Sequence, residues 1–245
     1  MGIFLIKASD YVRQKFGKIS FNSGSWVVLG SIEQQIKSKI ESIGKPLKDW
    51  DIQINYGIKT GFNEAFIIDT AKRNELVEKC PKAAQIIRPI LRGRDIKKYK
   101  ADWADLWLIY IPWHFPLHLD VTIKGASDIA EEAFKNLYPE IYNHLSKYKD
   151  QLSKRNQSET GIRYEWYALQ RYGSNYMEDF FKPKIMYPNM TKFLPFIYDE
   201  NSYMINDKGF IITGQHIEFL TAFFNSKVFK FCFKENFPEL MGNFL

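Results

Sequence analysis

The residues best suited to chemistry on a polyanion lie in Arg88-Pro89-Ile90-Leu91-Arg92-Gly93-Arg94-Asp95-Ile96-Lys97-Lys98-Tyr99-Lys100, where six cationic side chains stand against one acid. Arginine carries a planar fork that can bind a phosphate or read guanine O6 and N7 with two hydrogen bonds, whereas lysine mainly neutralises phosphate. Gly93 allows a turn between Arg92 and Arg94, which makes these two the leading candidates, with Lys97 and Lys98 beside them. A basic run by itself also reads as a solvated face, so its context must decide.

Three further stretches offer polar groups in suitable patterns. In Gly57-Ile58-Lys59-Thr60-Gly61-Phe62-Asn63 two glycines surround a Lys-Thr pair, so Lys59, the Thr60 hydroxyl, the Gly61 amide and Asn63 could approach a phosphate closely. This is not a nucleotide-binding P-loop, because Phe62 and Asn63 follow Gly61 where Lys and Ser or Thr are required. The stretch Gly161 to Arg171 mixes Arg163 with Tyr164, Trp166 and Tyr167, a combination suited to base stacking, although Trp166 suits a core equally well. Finally, Lys182 to Lys192 reads as a strand that leaves into a loop, offering Lys184, Asn189, Thr191 and Lys192.

Catalytic signatures are weaker. His114, His118 and Asp120 have the residue types of a metal set, but Pro116 opposes the helix that would align the two histidines, and no metal is expected. The sequence holds no nucleophile elbow, zinc-protease or kinase motif, and Cys80 and Cys232 form no CxxC pair and nominate no nucleophile. The carboxylates Asp49, Asp51, Asp128, Glu131, Glu132, Asp199 and Glu200 read as surface and helix-end charge.

The elements that must carry these residues follow from periodicity. Ser31 and Gln34 form a capping box before Ile32, Ile36, Ile40 and Ile43, and Gly44 stops that helix. Glu64–Asp69, Leu106–Ile111, Lys184–Tyr187 and Gly209–Thr213 read as short strands. Pro139 opens a longer helix over 139–155, with Ile141, Leu145, Tyr148 and Leu152 inward and Lys147, Lys149, Lys154 and Arg155 on a basic exposed side. His216–Phe233 is apolar nearly all round, as a buried helix would be. The expected class is α+β, with small mixed or antiparallel sheets and packed helices in one domain over 1–245. A net charge of +6 and a pI near 9.0 favour a polyanionic partner. No apolar run is long enough to span a membrane, and the cysteine usage suits a reducing cytoplasm. Apolar residues still arriving at Gly242-Asn243-Phe244-Leu245 suggest a piece of a longer chain.

In their order, Lys39-Ile40-Glu41-Ser42-Ile43-Gly44-Lys45-Pro46-Leu47, Gly57–Phe66, Arg92-Gly93-Arg94-Asp95-Ile96, Tyr138-Pro139-Glu140-Ile141-Tyr142 with Leu145, Pro183-Lys184-Ile185 and Leu220–Phe231 resemble one family. It is the TaqI-like C-terminal specificity domain of type IIG restriction enzymes and adenine-specific DNA methyltransferases, phage-exclusion methylases included. The resemblance implies a module that docks on double-stranded DNA and selects its sequence, while a separate N-terminal methyltransferase domain flips out the target adenine. It also implies Lys59, Thr60, Asn63, Arg92 and Arg94 as DNA-facing positions. The glycine-rich S-adenosylmethionine loop and the Asn-Pro-Pro-Tyr motif of such a methyltransferase are absent from Met1–Leu245. Methylation, S-adenosylmethionine, and Mg²⁺ for any nuclease step therefore belong to the parent enzyme, whose methyltransferase domain would be a partner. Three rivals remain open at this point: a small nuclease or methyltransferase with an unrecognised site, a protein-interaction module docking through the helix from Pro139, and an RNA binder.

Overall fold

A computed structural model describes residues 31–155, 157, 159–190, 194–200 and 203–236. In chain order the elements are α1 (Ser31–Ile43), β1 (Ile52–Tyr56), α2 (Asn63–Phe66), β2 (Ile67–Asp69), α3 (Thr70–Lys79), β3 (Ile87–Leu91), β4 (Ile96–Lys97), β5 (Lys100–Ala101) and β6 (Leu106–Ile109). They continue with α4 (Asp128–Leu137), α5 (Pro139–Ser146), α6 (Lys149–Lys154), β7 (Lys184–Pro188), β8 (Ile197–Asp199), β9 (Met204–Ile205), β10 (Gly209–Gly214), α7 (Ile217–Phe224) and α8 (Lys227–Asn236). The class is α+β, as expected. Ile52–Asn225 forms one compact unit, while α1 and α8 belong to a second drawn from the two ends of the chain.

Two four-stranded sheets organise the larger unit. One has the order β1-β10-β7-β8 and is antiparallel throughout. The other has the order β2-β6-β3-β9, antiparallel except where β3 and β9 run parallel. β4 and β5 make a small hairpin beside them. Because β9 lies in one sheet and β10 in the other, the short turn between them joins the two. The core is continuous across both sheets and helices α2 to α6, with Phe66, Leu76, Ile90, Leu108, Phe134, Ile141, Leu145, Tyr167, Met186 and Ile211 all buried. Each such side chain contributes about 1.5–3 kcal/mol of apolar burial.

Local chemistry sets the helix starts. The Asp69 carboxylate accepts from the Lys72 amide at 2.7 Å ahead of α3, and the Ser127 hydroxyl accepts from the Ala130 amide at 3.2 Å ahead of α4. Pro139 occupies the first turn of α5, where its missing N–H costs nothing.

Four expectations need correction. The helix read over 139–155 is two, α5 and α6, parted by a turn in which the Tyr148 amide bonds the Leu145 carbonyl at 2.9 Å. Arg155, expected on the basic exposed side, is buried, because its donors find carbonyl partners inside. The helix read over 216–233 breaks at Asn225, whose buried amide bonds the Phe196 carbonyl at 2.9 Å and accepts the Phe196 amide at 3.2 Å. That exchange ties α7 to the approach to β8, and Phe219 on the other face of α7 is 62% exposed, so the apolar run is not buried all round. The strand read over Glu64–Asp69 is strand only from Ile67, since Asn63–Phe66 closes a helical turn instead. By contrast, strands at Lys184–Pro188 and Gly209–Gly214 lie where the short Ile-, Phe- and Tyr-rich runs bounded by Gly, Pro or Asn place them, and the helix predicted from Ser31 ends at Ile43.

Candidate nucleic-acid interface

The glycine-flanked loop is pinned from two sides. The Gly57 amide bonds the Gly209 carbonyl at 2.9 Å and the Ile58 amide bonds the Ile205 carbonyl at 2.8 Å. Any side chain at position 57 would overlap the Asn206 backbone, so glycine is required for this approach. Lys59 exchanges backbone hydrogen bonds with Arg171, at 3.0 and 2.9 Å, which sets these two cationic residues side by side. Beyond it Thr60 is buried, and its hydroxyl donates to Asn63 Oδ1 at 2.6 Å. Thr60 therefore shapes the loop from within, leaving Lys59, Gly61 and the exposed Asn63 as its outward groups.

The Arg92–Asp95 turn is a closed electrostatic unit. The Arg92 guanidinium donates through Nε to Asp95 Oδ2 at 2.9 Å and through Nη2 to Asp95 Oδ1 at 2.8 Å, and the Arg92 amide bonds the same carboxylate at 2.8 Å. Burial of Asp95 opposes its charge, but the Arg92 hydrogen bonds and positive charge outweigh it and hold the carboxyl below its ordinary range. The Asp95 hydrogen bond in turn raises the Arg92 guanidinium. A depressed carboxyl pKa stabilises the fold above the ordinary carboxylate range and loses that contribution as pH falls through the folded value. Asp95→Asn should thus cost about 1–2 kcal/mol at neutral pH. In thermal melts across an acid series, its deficit against the wild type should shrink below about pH 4; a constant gap would show that the carboxylate charge is irrelevant.

The register brings the two loops together. β3 and β9 pair in parallel with Leu91 beside Ile205, and Ile58 pairs in parallel with Asn206. One residue further along both strands, Arg92 lies beside Asn206. The segments ending at Gly61, Lys208 and Arg94 thus leave the same edge in the same direction, spanning two strand spacings, roughly 10 Å. The Asn206 amide bonds the Leu91 carbonyl at 3.3 Å, and Asn206-Asp207-Lys208-Gly209 closes as a turn through a 3.0 Å bond from the Gly209 amide to the Asn206 carbonyl. A side chain at position 93 would meet the Lys208 carbonyl at 3.0 Å and Pro188 at 3.2 Å, so the Arg92–Arg94 turn packs directly on this one. The Asn189 amide bonds the Lys208 carbonyl at 2.8 Å, which brings the end of β7 to the same place. Lys59, Arg92, Arg94, Asn189 and Lys208 therefore surround one turn.

The other candidates lie beside this turn or away from it. Lys97 and Lys98 are exposed on the β4–β5 hairpin, where Lys97 Nζ bonds the Arg94 carbonyl at 2.7 Å and Lys98 stands over the Tyr99 ring. Arg163 is exposed and faces Glu159 at 3.7 Å, on a turn that packs against Gly125 rather than against residues 206–209. Lys184 is fully buried, pairs with Asp199 at 2.7 Å and donates to the Phe180 carbonyl, so it cannot meet a ligand in this fold. Thr191 and Lys192 lie outside the described residues. Trp166 is buried, its indole N–H bonded to Glu131 at 2.8 Å, and serves the core. Sequence reading passed over Lys208 and took in Arg171 only as the end of the Gly161–Arg171 stretch, without singling it out as a binding residue. An Asn-x-x-Gly turn between Tyr203-Met204-Ile205 and Phe210-Ile211-Ile212 was a usable hairpin signal for Lys208, whereas the Lys59–Arg171 bridge left no local trace.

The histidine set also has structural uses. His114 Nδ1 meets Glu165 at 2.9 Å, and the buried Glu165 carboxylate further accepts the His114 and Ser127 amides. Burial lowers the His118 pKa, and its ring stacks on Phe115. Among the described residues no three His, Cys, Asp or Glu side chains cluster as metal ligands.

Scaffold and edge together define a binding module, with cationic loops gathered at the shared edge of two sheets. Residues 88–245 match the model of the TaqI-like C-terminal specificity domain, and the chain belongs to that family. It is similar to the type II methyltransferase M.MjaIV of Methanocaldococcus jannaschii, 23% identical over 191 residues that make up 73% of this chain and 55% of that protein. The chain thus spans about half the length of the curated relative it matches. The solved structure of the type IIL restriction-modification enzyme MmeI in complex with DNA aligns over 79% of this chain and 23% of that one, at 14% identity and a TM-score of 0.49. No helix among the described residues is long and apolar enough to cross a membrane.

Proposed function

We propose that this chain recognises a specific sequence in double-stranded DNA on behalf of a type IIG-like restriction-modification enzyme of the cytoplasm, in which a separate methyltransferase domain modifies adenine with S-adenosylmethionine. Any nuclease step of that parent would draw on Mg²⁺ held elsewhere, and phage defence is the setting such an enzyme serves. The chain itself supplies no catalytic group. The observation that carries this reading is the parallel register of Ile58, Asn206 and Arg92, which delivers Lys59, Arg94 and Lys208 to one edge. Membership of a specificity-domain family supports the same conclusion.

On this edge the lysines set the register of the duplex through its phosphates, and exposed side chains of the loops reach base edges in the major groove. Arg94 is exposed, and among the described residues it lowers the Asp95 pKa by its charge but forms no ion pair. Arg94→Ala should cost about 1–3 kcal/mol of specific affinity and relax the preference at one base pair. Lys208→Ala should weaken all duplexes alike and flatten the slope of log K against log salt by about 0.9. Fluorescence anisotropy on duplexes selected from a randomised pool measures both. If both variants bind and select as the wild type does, the edge is not the interface.

A further inference from the structure

We infer that Arg92 is a rigid phosphate clamp that positions the duplex, and that it does not read a base. The inference rests on the proposed recognition of duplex DNA and assigns one arginine of that edge a distinct task. Its Nε and Nη2 groups are held by the two oxygens of Asp95, at 2.9 and 2.8 Å, along one side of the guanidinium. The opposite end, Nη1 with the second hydrogen of Nη2, stays available. Among the described residues Nη1 makes no hydrogen bond, and it is not one of the buried polar atoms that lack one, so part of it meets solvent. Asp95 is itself fixed, with its side chain 6% exposed and an additional bond from the Arg92 amide. The arginine is therefore folded back along its own turn and presents a preoriented pair of N–H donors at the edge, which spares the conformational cost of ordering a long side chain on binding.

Reach decides between phosphate and base. A groove reader must extend several ångströms past the sugar-phosphate rails, because the major groove is on the order of 8 Å deep. Arg92 is only 27% exposed, and its length is spent curling onto Asp95. Its free end stays near the protein surface, the level at which phosphates pass. Arg94, exposed two residues on, has the length and freedom that Arg92 lacks. The Arg-Gly-Arg-Asp turn thus splits its labour, with a fixed arginine for the backbone and a mobile one for the groove.

The test uses Arg92→Lys, Arg92→Gln and Asp95→Asn in the full chain, with melting curves establishing the folded fraction of each. Binding is measured to a selected duplex and to a scrambled one over a salt series, and base preference by selection from a randomised pool. The clamp predicts that Arg92→Lys weakens both duplexes equally, by about tenfold, with its salt slope kept, because the charge remains and the fork is lost. Arg92→Gln should lower the slope by about 0.9, and Asp95→Asn should weaken both duplexes without altering the selected sequence. A changed preference at any base pair in an Arg92 variant would overturn the assignment in favour of base reading. Unchanged affinity in the folded variants would overturn it in favour of a purely structural cap. Failure of the unaltered chain to prefer any duplex would instead overturn the recognition reading on which the clamp rests, an outcome separate from the other two.

Discussion

Arg155→Ala should destabilise the protein by about 3–5 kcal/mol, although the residue looks like one more basic side chain after a lysine-rich helix. Its guanidinium is buried and donates to the carbonyls of Thr60, Leu152, Trp166 and Ala168, with Phe66 and Tyr164 rings against its faces. Burial pulls its pKa down to about 10, which leaves it charged at neutral pH. A planar group with donors on every side suits this knot of carbonyls, and lysine, with a single ammonium, cannot serve them all. Truncation leaves several buried carbonyls without donors, each costing about 1–3 kcal/mol before water relieves part of it. Thermal melting should fall on the order of 10 °C, and Arg155→Lys should recover less than half of that loss. A shift of only a degree or two in Arg155→Ala would show that water replaces the guanidinium freely. Because Thr60 and Gly61 both lean on Arg155, the variant should also weaken duplex binding without touching DNA.

Arg155 shows where sequence reading stops. A charge after a helix reads as solvated because charges are seldom buried without a partner, and here the partners are carbonyls from residues 60, 166 and 168 that no local pattern announces. Lys184 failed for the same reason, its partner Asp199 being brought opposite by strand pairing. Strands β7 and β10 were legible because short runs rich in Ile, Phe and Tyr with flanking Gly, Pro and Asn are local signals. The break at Asn225 was not, since it depends on the Phe196 backbone arriving alongside.

The candidate edge was half legible. Residue types and glycine spacing nominated Lys59, Arg92 and Arg94 in two separate stretches, and nothing in either stretch says that they converge. Convergence comes from parallel pairing of β3 with β9 and of Ile58 with Asn206, contacts between residues more than a hundred positions apart. Parallel pairing requires long crossovers, so its register is invisible in short windows. The same topology converts two weak basic motifs into one interface and adds Lys208 and Arg171, which were not nominated. It also separates roles within a motif: Arg92 is held by Asp95, whereas the exposed Arg94 forms no ion pair among the described residues, although the sequence treats them as equivalent.

Lys184→Met should cost about 3–5 kcal/mol at neutral pH, because it leaves the Asp199 carboxylate buried without its cation. The pair faces across β7 and β8 with both side chains almost wholly inaccessible. Burial lowers the Lys184 pKa while the Asp199 charge and hydrogen bond oppose that shift. Replacing both residues, as Lys184→Met with Asp199→Leu, should recover most of the loss, because an apolar pair of similar volume forgoes the desolvation of two charges. Denaturant unfolding of the two single variants and the double one gives the coupling directly; a double variant as unstable as the sum of the singles would show that Asp199 acts chiefly through the Tyr203 amide, which it accepts at 3.0 Å. As β7 ends at Pro188 beside Gly93 and passes into Asn189, restoring the strand with an apolar pair should also restore duplex affinity, which would place Lys184 in the scaffold beneath the edge rather than on it.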